Sequence, residues 1–555
     1  MKARRATSLL ALMVLASPAV FAAESPRLAV LIAVDQLRGD YIERFGPWFV
    51  EGGFRRLTEG GAVYENAHHR HAMTATAPGH ATLATGVHAN VHGVVANDWF
   101  DVTAGRMIGS IEDQAAPLVG ADAPPVRLPG GLLASDGTAS PHRMLAASVG
   151  DQLKLRYGDR SRVIGLANKD RGGVFLSGRL ADAVYWLHLG QIVTSEAYRK
   201  TLPDWLVAYN ASQPINRRWG GTWDRLLPAE IYDRVQGPDQ MPGEESRHGL
   251  GLTFPRQIDG GRPSRDGEFH NAYRLDPHGT EVLGELARLT IEHEQLGQRE
   301  HPDLLCIAFS QLDYTGHSFG PDSHEVMDSV LRLDRVLAEF FAFLDAKVGV
   351  GRWTVVLSAD HGVAPLPERV AATGPGLPAG RIDYAALTRT VEAALTSAFG
   401  APENGAAWTV RDSYGYRLLP TVLAARGVDA GEARRVIKTA LLRSPQVAFA
   451  WTREEILSAL PGDVNYLEGW RLSYHAERSQ DVIFSPPPYF VDRAPFGSNH
   501  GTPYHYDSHI PLLWYGAGVP RRVSAERVGS DAVAPTLARV LGIPAPPQAQ
   551  AQPLF

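Results

Sequence analysis

The chain has 555 residues, of which 44% are hydrophobic and 21% charged, and its formal net charge is −6. That composition is globular and long enough for a large core, and its mild acidity gives no electrostatic footprint for a nucleic-acid partner. The single cysteine, Cys306, excludes an internal disulfide.

At the amino end, Lys2, Arg4 and Arg5 precede an apolar stretch from Leu9 to Val20, followed by Phe21-Ala22-Ala23-Glu24. This is the pattern of a secretory signal with small residues at its cleavage site, and the apolar stretch is short for a membrane span. The expectation is a signal peptide over residues 1–23 and an exported protein, periplasmic or secreted. Residues 24–555 then carry about −9 and keep no membrane span.

An apolar run, Leu28–Val34, ends at Asp35. Similar runs stand at Val163–Ala167 before Lys169, Leu304–Phe309 before Asp313 and Trp353–Leu357 before Asp360. A further run, Ile510–Tyr515, follows the segment that holds His500. Continuous rather than alternating apolar runs suit central strands covered on both faces. Helical spacing of apolar residues from Glu325 to Ala346, and from Ala532 to Leu541 before Gly542, places helices between and after them. The alternation predicts an α/β fold with a central, mostly parallel sheet sandwiched by helices.

Residues 98–160 and 186–300, rich in Gly, Pro, Trp and charge, read as surface insertions over the sheet edge. Residues 365–490 read as an inserted α/β cap subdomain. It has helices near Tyr384–Phe399 and Gly431–Arg443, and strand-like pieces at Trp408–Val410 and Val482–Phe484. The tail after Pro544, mostly Pro, Ala and Gln, reads as disordered. Cys306 lies in an apolar run and reads as a buried thiol.

The polar residues that end the runs carry the chemistry. Asp35, Asp313, His317, Asp360, His361 and His500 are spread over most of the chain, yet each lies at a strand end or in a loop. A parallel sheet gathers such residues at the carboxyl edge of its strands. Asp oxygen and His nitrogen suit zinc and similar divalent ions, and six such groups suffice for two. Thr76 precedes Ala77-Pro78-Gly79-His80, with Gly86 as a stop, so it stands at or just before a helix N-terminus, where negative charge is favoured. Thr76 reads either as a plain N-cap or as a nucleophile activated by a metal, and Thr74 competes for that second role.

The segments Val34-Asp35-Gln36-Leu37-Arg38, Thr76-Ala77-Pro78-Gly79-His80, Thr85-Gly86, His92-Gly93-Val94-Val95-Ala96-Asn97, Asp313-Tyr314-Thr315-Gly316-His317, Asp360-His361-Gly362 and His500-Gly501 resemble, in order, those of the alkaline phosphatase superfamily. The branch is that of the phosphate-irrepressible alkaline phosphatases and the related type I phosphodiesterases/nucleotide pyrophosphatases. The resemblance implies two zinc ions, one on Asp313, His317 and His500, the other on Asp35, Asp360, His361 and the Thr76 oxygen. It implies Thr76 as nucleophile, a phosphothreonine intermediate, and Asn97 as donor to a phosphoryl oxygen. Of the neighbouring histidines, His505 and His509 are alternatives to His500 as ligand, and Asp507 reads as a supporting group.

The motif Asn168-Lys169-Asp170-Arg171 bears on the substrate. In extended backbone Lys169 and Arg171 point to one side, where two cations suit the extra anionic oxygen of a phosphate monoester. The pair resembles the Lys-x-Arg of the phosphate-irrepressible phosphatases, which the diesterase relatives lack. The reading is an alkaline phosphatase acting on small-molecule phosphate monoesters as a monomer. A phosphodiesterase/nucleotide pyrophosphatase is the alternative, and a non-catalytic metal- or phosphate-binding protein a third. A sulfatase and a cofactor-independent phosphoglycerate mutase are disfavoured, because Thr76 is neither the Cys nor the Ser those branches use. Trp186, Trp205 and Trp219 read as core or surface aromatics, with a rim contact to leaving groups as the alternative. Other divalent metals, such as manganese, iron or cobalt, fit the same donors.

Overall fold

The computed structural model describes residues 25–120, 137–374, 376–462 and 465–555, so the segment expected to be a signal peptide lies outside the described residues. The apolar runs form the middle of an eleven-stranded sheet. Its strands are β1 (Leu28–Val34), β2 (Ala62–His68), β3 (Leu118–Val119), β4 (Val163–Ala167), β5 (Ala183–His188), β6 (Gln191–Ser195), β7 (Asp303–Phe309), β8 (Trp353–Ser358), β9 (His509–Gly516), β10 (Arg522–Ser524) and β11 (Val528–Gly529). Their spatial order is β10-β2-β9-β8-β1-β7-β4-β5-β6-β3, with β11 also paired to β2. The five strands β8-β1-β7-β4-β5 are parallel throughout. Every residue of β1, β4, β7 and β8 is buried, which is why these runs are continuously apolar.

Strand β9 enters between β8 and β2, antiparallel to both. Its amino end therefore lies beside the carboxyl ends of its neighbours. Two groups of helices pack on the sheet. One contains α1 (Thr76–Thr85) and α2 (Asp170–Ser177), which pack on each other. The other contains the helix His278–His293 and α4 (His324–Leu344), preceded by α3 (Gln311–Phe319).

Residues 409–485 contain a separate four-stranded sheet, and with the helices Tyr384–Phe399 and Ala430–Leu441 they enclose their own apolar cluster around Trp408, Tyr416, Trp470 and Phe484. That cluster also takes in Ala72, Met73 and Ala75, the residues leading into α1. Residues 186–300, read above as a surface insertion, are not all surface. They include the second half of β5, all of β6 and the sheet-packed helix His278–His293. Their Gly, Pro and charge belong to the loops between these elements, which mask two short strands. Cys306 is buried in β7, where burial pushes its thiol up to about 12. Among the described residues no helix is long and apolar enough to cross a membrane.

The tail after Pro544 is ordered, against the compositional expectation. Leu554 N–H donates to Thr536 Oγ1 at 2.9 Å, and the Phe555 ring meets Trp514 edge-on at 5.4 Å. Two terminal apolar residues thus anchor a Pro/Ala/Gln stretch that composition alone would leave free. Phe555→Ala is expected to lower unfolding stability by about 1–2 kcal/mol, since a half-buried aromatic contact is lost. An unchanged denaturation midpoint would show that the tail contributes nothing.

Candidate active site

The carboxyl edge of the parallel strands collects the residues singled out from the sequence. Asp35 follows β1, Asn168 and Lys169 follow β4, Asp313 lies in the first turn of α3 after β7, and Asp360-His361 follow β8. His500 arrives from the loop ahead of β9. Asp35, Thr76, Asp313, Asp360, His361 and Lys169 are buried, and His500 is at the border of burial.

The groups converge closely. Asp313 Oδ1 lies 3.2 Å from His317 Nε2 and 3.6 Å from His500 Nε2. His361 Nε2 lies 3.4 Å from Asp35 Oδ1 and 3.5 Å from Asp360 Oδ2. The His361 and His500 rings stack at 3.5 Å between centroids, so the two halves of the site share a wall. Lys169 Nζ stands between them, 2.8 Å from Asp35 Oδ2 and bonded also to Asp313 Oδ2.

Each histidine has its Nδ1 engaged by a backbone carbonyl. His317 meets Ser498 O at 2.9 Å, His361 meets Gly362 O at 2.9 Å, and His500 meets Thr74 O at 2.7 Å. A carbonyl accepts, so the proton sits on Nδ1 and the lone pair on Nε2. All three Nε2 atoms point toward carboxylates, as metal ligands do. Burial lowers the pKa of His361 and, together with His361 and His317, holds that of His500 well below the usual range, which keeps both neutral.

Charge completes the test of fit for divalent metal. Three buried carboxylates face one lysine. Burial, then Asp313 and Asp360, push the Asp35 carboxyl well above the usual range. Burial opposes ionisation of Asp313 as well, but His317 and Lys169 outweigh it and hold that carboxyl well below the usual range. Asp35 Oδ1 and His361 Nε2 are buried with no hydrogen-bond partner among the described residues. Orphaned lone pairs in an excess of negative charge are what a dication satisfies. The residues fit the group.

Thr76 is the first residue of α1, buried, after extended Ala75. The approach to it is held from the second sheet's side, where Ser473 Oγ accepts from both Ala72 N and Met73 N at 2.9 Å. Thr74, the competing hydroxyl, donates to Thr502 O at 2.8 Å. Asn97 Oδ1 accepts from Ala77 N at 2.9 Å, which leaves its amide nitrogen to donate elsewhere. Asn97, Lys169 and Arg171 line one cleft together with Trp186, Tyr273 and Tyr314.

The local conformation of Lys169-Asp170-Arg171 differs from the expected extended strand end. Lys169 is the extended residue before α2 and Arg171 lies in its first turn. Both still reach the cleft, because the chain changes direction between them. Of the tryptophans, Trp186 is buried in the cleft wall, Trp205 stacks on His293 at 5.2 Å, and Trp219 is 40% exposed.

Gln36 was given no role by the sequence reading, and His80, one of the neighbouring histidines read there as structural or surface groups, takes a supporting place. Gln36 donates from Nε2 to Asp313 Oδ1 at 2.7 Å and from its backbone N–H to Asp360 Oδ1 at 3.1 Å. It does so with φ at 69°, a left-handed conformation uncommon for glutamine. His80 Nδ1 lies 2.9 Å from Thr76 O and 3.1 Å from Asp360 Oδ2, tying α1 to β8. Adjacency to Asp35, and the i+4 step from Thr76, were the available signals. Asp507, read as supporting, accepts from Thr502 N and Oγ1 at 2.9 and 2.5 Å, and burial pushes its carboxyl up to about 7.

Comparison with known proteins agrees with this geometry. Residues 29–486 match the family model described as type I phosphodiesterase / nucleotide pyrophosphatase. The chain is 31% identical to alkaline phosphatase PafA of Elizabethkingia meningoseptica, over 95% of this chain and 94% of that one. It is also 31% identical to a protein of Myroides odoratus named calcium-transporting ATPase, over 94% of this chain and 93% of that one. The crystal structure of wild-type alkaline phosphatase PafA superposes with a TM-score of 0.87 at 30% identity, covering 96% of this chain and 99% of that one.

The close approach of α1 to β8 gives a check on this packing. A Cβ on Gly79 would fall 2.2 Å from the Asp360 carbonyl oxygen. Gly→Ala inside a helix ordinarily stabilises by about 0.5–1 kcal/mol. Gly79→Ala is expected to reverse that sign and destabilise by about 2 kcal/mol or more, read as a lowered melting temperature. A stabilised variant would contradict the contact.

Proposed function

The chain belongs to the type I phosphodiesterase / nucleotide pyrophosphatase family, and from that premise we propose that it is an exported alkaline phosphatase, monomeric, with Thr76 as its nucleophile. The observation that carries the reading is the cleft shared by Asn97, Lys169 and Arg171 beside the carboxylate–histidine cluster. Two cations and an amide donor there match the charge and oxygen count of a phosphate monoester. A diester has one fewer anionic oxygen and a second substituent to seat.

Asp313, His317 and His500 would hold one divalent ion, and Asp35, Asp360, His361 and the Thr76 oxygen the other, with zinc the natural choice for these donors. When bound, such a pair supplies Lewis acidity for both oxygens of an in-line displacement and eases deprotonation of a coordinated hydroxyl. The chain supplies the rest. Thr76 stands in the first turn of α1, where unpaired backbone N–H groups and the helix dipole favour an oxyanion and an incoming phosphoryl group. Thr74 is the weaker candidate, because its hydroxyl already serves Thr502 O. Asn97, fixed by Ala77, donates from its free amide nitrogen to a phosphoryl oxygen. Lys169 and Arg171 offset the charge of the remaining oxygens.

In the first step the Thr76 hydroxyl loses its proton, its oxygen bonds to phosphorus, and the ester P–O bond breaks to release the alcohol. In the second, water attacks phosphothreonine, the Thr76–phosphorus bond breaks, and phosphate leaves as the hydroxyl is restored. Gln36 and His80 position the carboxylates and the helix through both steps.

The first experiment compares zinc-supplemented turnover at alkaline pH of an aryl phosphate monoester and the matching diester. Preference for the monoester is expected. Preference for the diester would move the protein to the phosphodiesterase side of its family. Thr76→Ala is expected to lose about 10³-fold or more in kcat with metal content intact, and unchanged turnover would overturn the nucleophile assignment. Lys169→Ala with Arg171→Ala is expected to lower monoester kcat/KM by about 10³-fold and diester kcat/KM by about tenfold or less, whereas equal losses would remove the pair from substrate recognition. Removal of metal by a strong chelator is expected to abolish both activities, with recovery on added zinc. Activity that survives complete metal loss would refute the two-metal reading.

A further inference from the structure

Among the described residues, groups of three His, Asp or Glu side chains come close enough to share a cation at three places. Two are the overlapping sets of the candidate active site, Asp313-His317-His500 and Asp35-Asp313-His361. The third, His68-His505-His509, is built from imidazole alone. We propose that His68, His505 and His509 form a third metal site, for a divalent transition metal that favours imidazole nitrogen, zinc first.

The backbone brings the three together. His68 is the last residue of β2 and His509 the first of β9, and the two are cross-strand partners. His505 begins the short turn of helix, His505–Ser508, that leads into β9. The ring centroids are 5.3 Å apart for His68 and His505, 5.0 Å for His68 and His509, and 4.7 Å for His505 and His509. One nitrogen from each ring lies within 4.8 Å of the other two. A tetrahedral zinc needs nitrogens about 3.4 Å apart, from Zn–N bonds of about 2.0–2.1 Å, so small side-chain rotations close the site.

The hydrogen bonds select the ligand atoms. His509 Nε2 meets Glu65 O at 2.9 Å, which puts its proton there and leaves Nδ1 free. His68 Nε2 meets Asn66 Oδ1 at 2.9 Å, which leaves Nδ1 facing Ser508 Oγ at 3.3 Å, a contact a metal would replace. Both rings are thus oriented by an oxygen on the far nitrogen, the arrangement seen at His317, His361 and His500. His505 is exposed, which leaves a fourth position open to water. The nearby Arg38 is paired with Asp40 at 2.9 Å. Arg527 works against a dication, so this ion is held less tightly than the buried pair.

The turn that carries His505 also holds the active site. Tyr506 O accepts from Val363 N at 3.0 Å, and Asp507 O from Gly362 N at 2.7 Å, the residue after His361. An ion here would staple this turn to the end of β2, without touching substrate.

The test is metal stoichiometry of the whole protein equilibrated with zinc and passed through gel filtration. Wild type is expected to carry three equivalents, and His505→Ala two, with turnover of an aryl phosphate within about twofold of wild type. His505 is on the surface, so its loss leaves the fold intact. A crystal of the zinc-loaded protein is expected to show anomalous density between the three rings. Equal zinc content in wild type and His505→Ala, or no anomalous density there, would overturn the proposal.

Discussion

Three carboxylates buried beside one lysine are the constraint on which the molecule turns. Asp35, Asp313 and Asp360 are buried together, and Lys169 balances only part of their charge. Such a cluster would drive its own unfolding if left loose. The chain holds it by delivering each member just beyond a strand and giving each a neighbour, Lys169 for Asp35, Gln36 for Asp313, and Gln36 with His80 for Asp360. The parallel sheet is the means of doing this. Strands β1, β7 and β8 lie side by side and in parallel, so the residues after them meet without any long loop.

The strand framework and the grouping of candidate metal ligands were legible in the sequence because both follow from patterns a linear chain displays. An apolar run with an Asp at its end announces a buried strand and a polar group delivered to its edge. The helix start at Thr76 was legible through the Pro and Gly that bracket that helix. What the sequence hid were relations that exist only between distant segments. Gln36 looks like any glutamine until Asp313 and Asp360 are folded around it. The tail reads as disordered because Pro and Ala carry no periodicity, while Phe555 finds its partner at Trp514 only in three dimensions. The Lys169–Arg171 pair illustrates a mixed case: the residue types were informative, the assumed extended geometry was not, and a helix start brought both to the cleft by another route.

The second sheet and its helices bear on the site at the segment that leads into α1. Ser473 grips the backbone of Ala72 and Met73, and the apolar cluster around Trp470 encloses the same segment. The threonine that starts α1 is thereby fixed from outside the main sheet.

The antiparallel entry of β9 has a consequence in time. Because β9 runs against its neighbours, the loop bearing His500 reaches the cluster from the amino side of the strand, and that loop lies some 140 residues beyond Asp360-His361 in the chain. A chain made from its amino end therefore holds Asp35, Asp313, Asp360 and His361 long before it holds the last histidine or the strand that seats it. On the two-metal reading proposed above, a ligand set that includes His500 would be complete only once β9 has taken its place between β8 and β2.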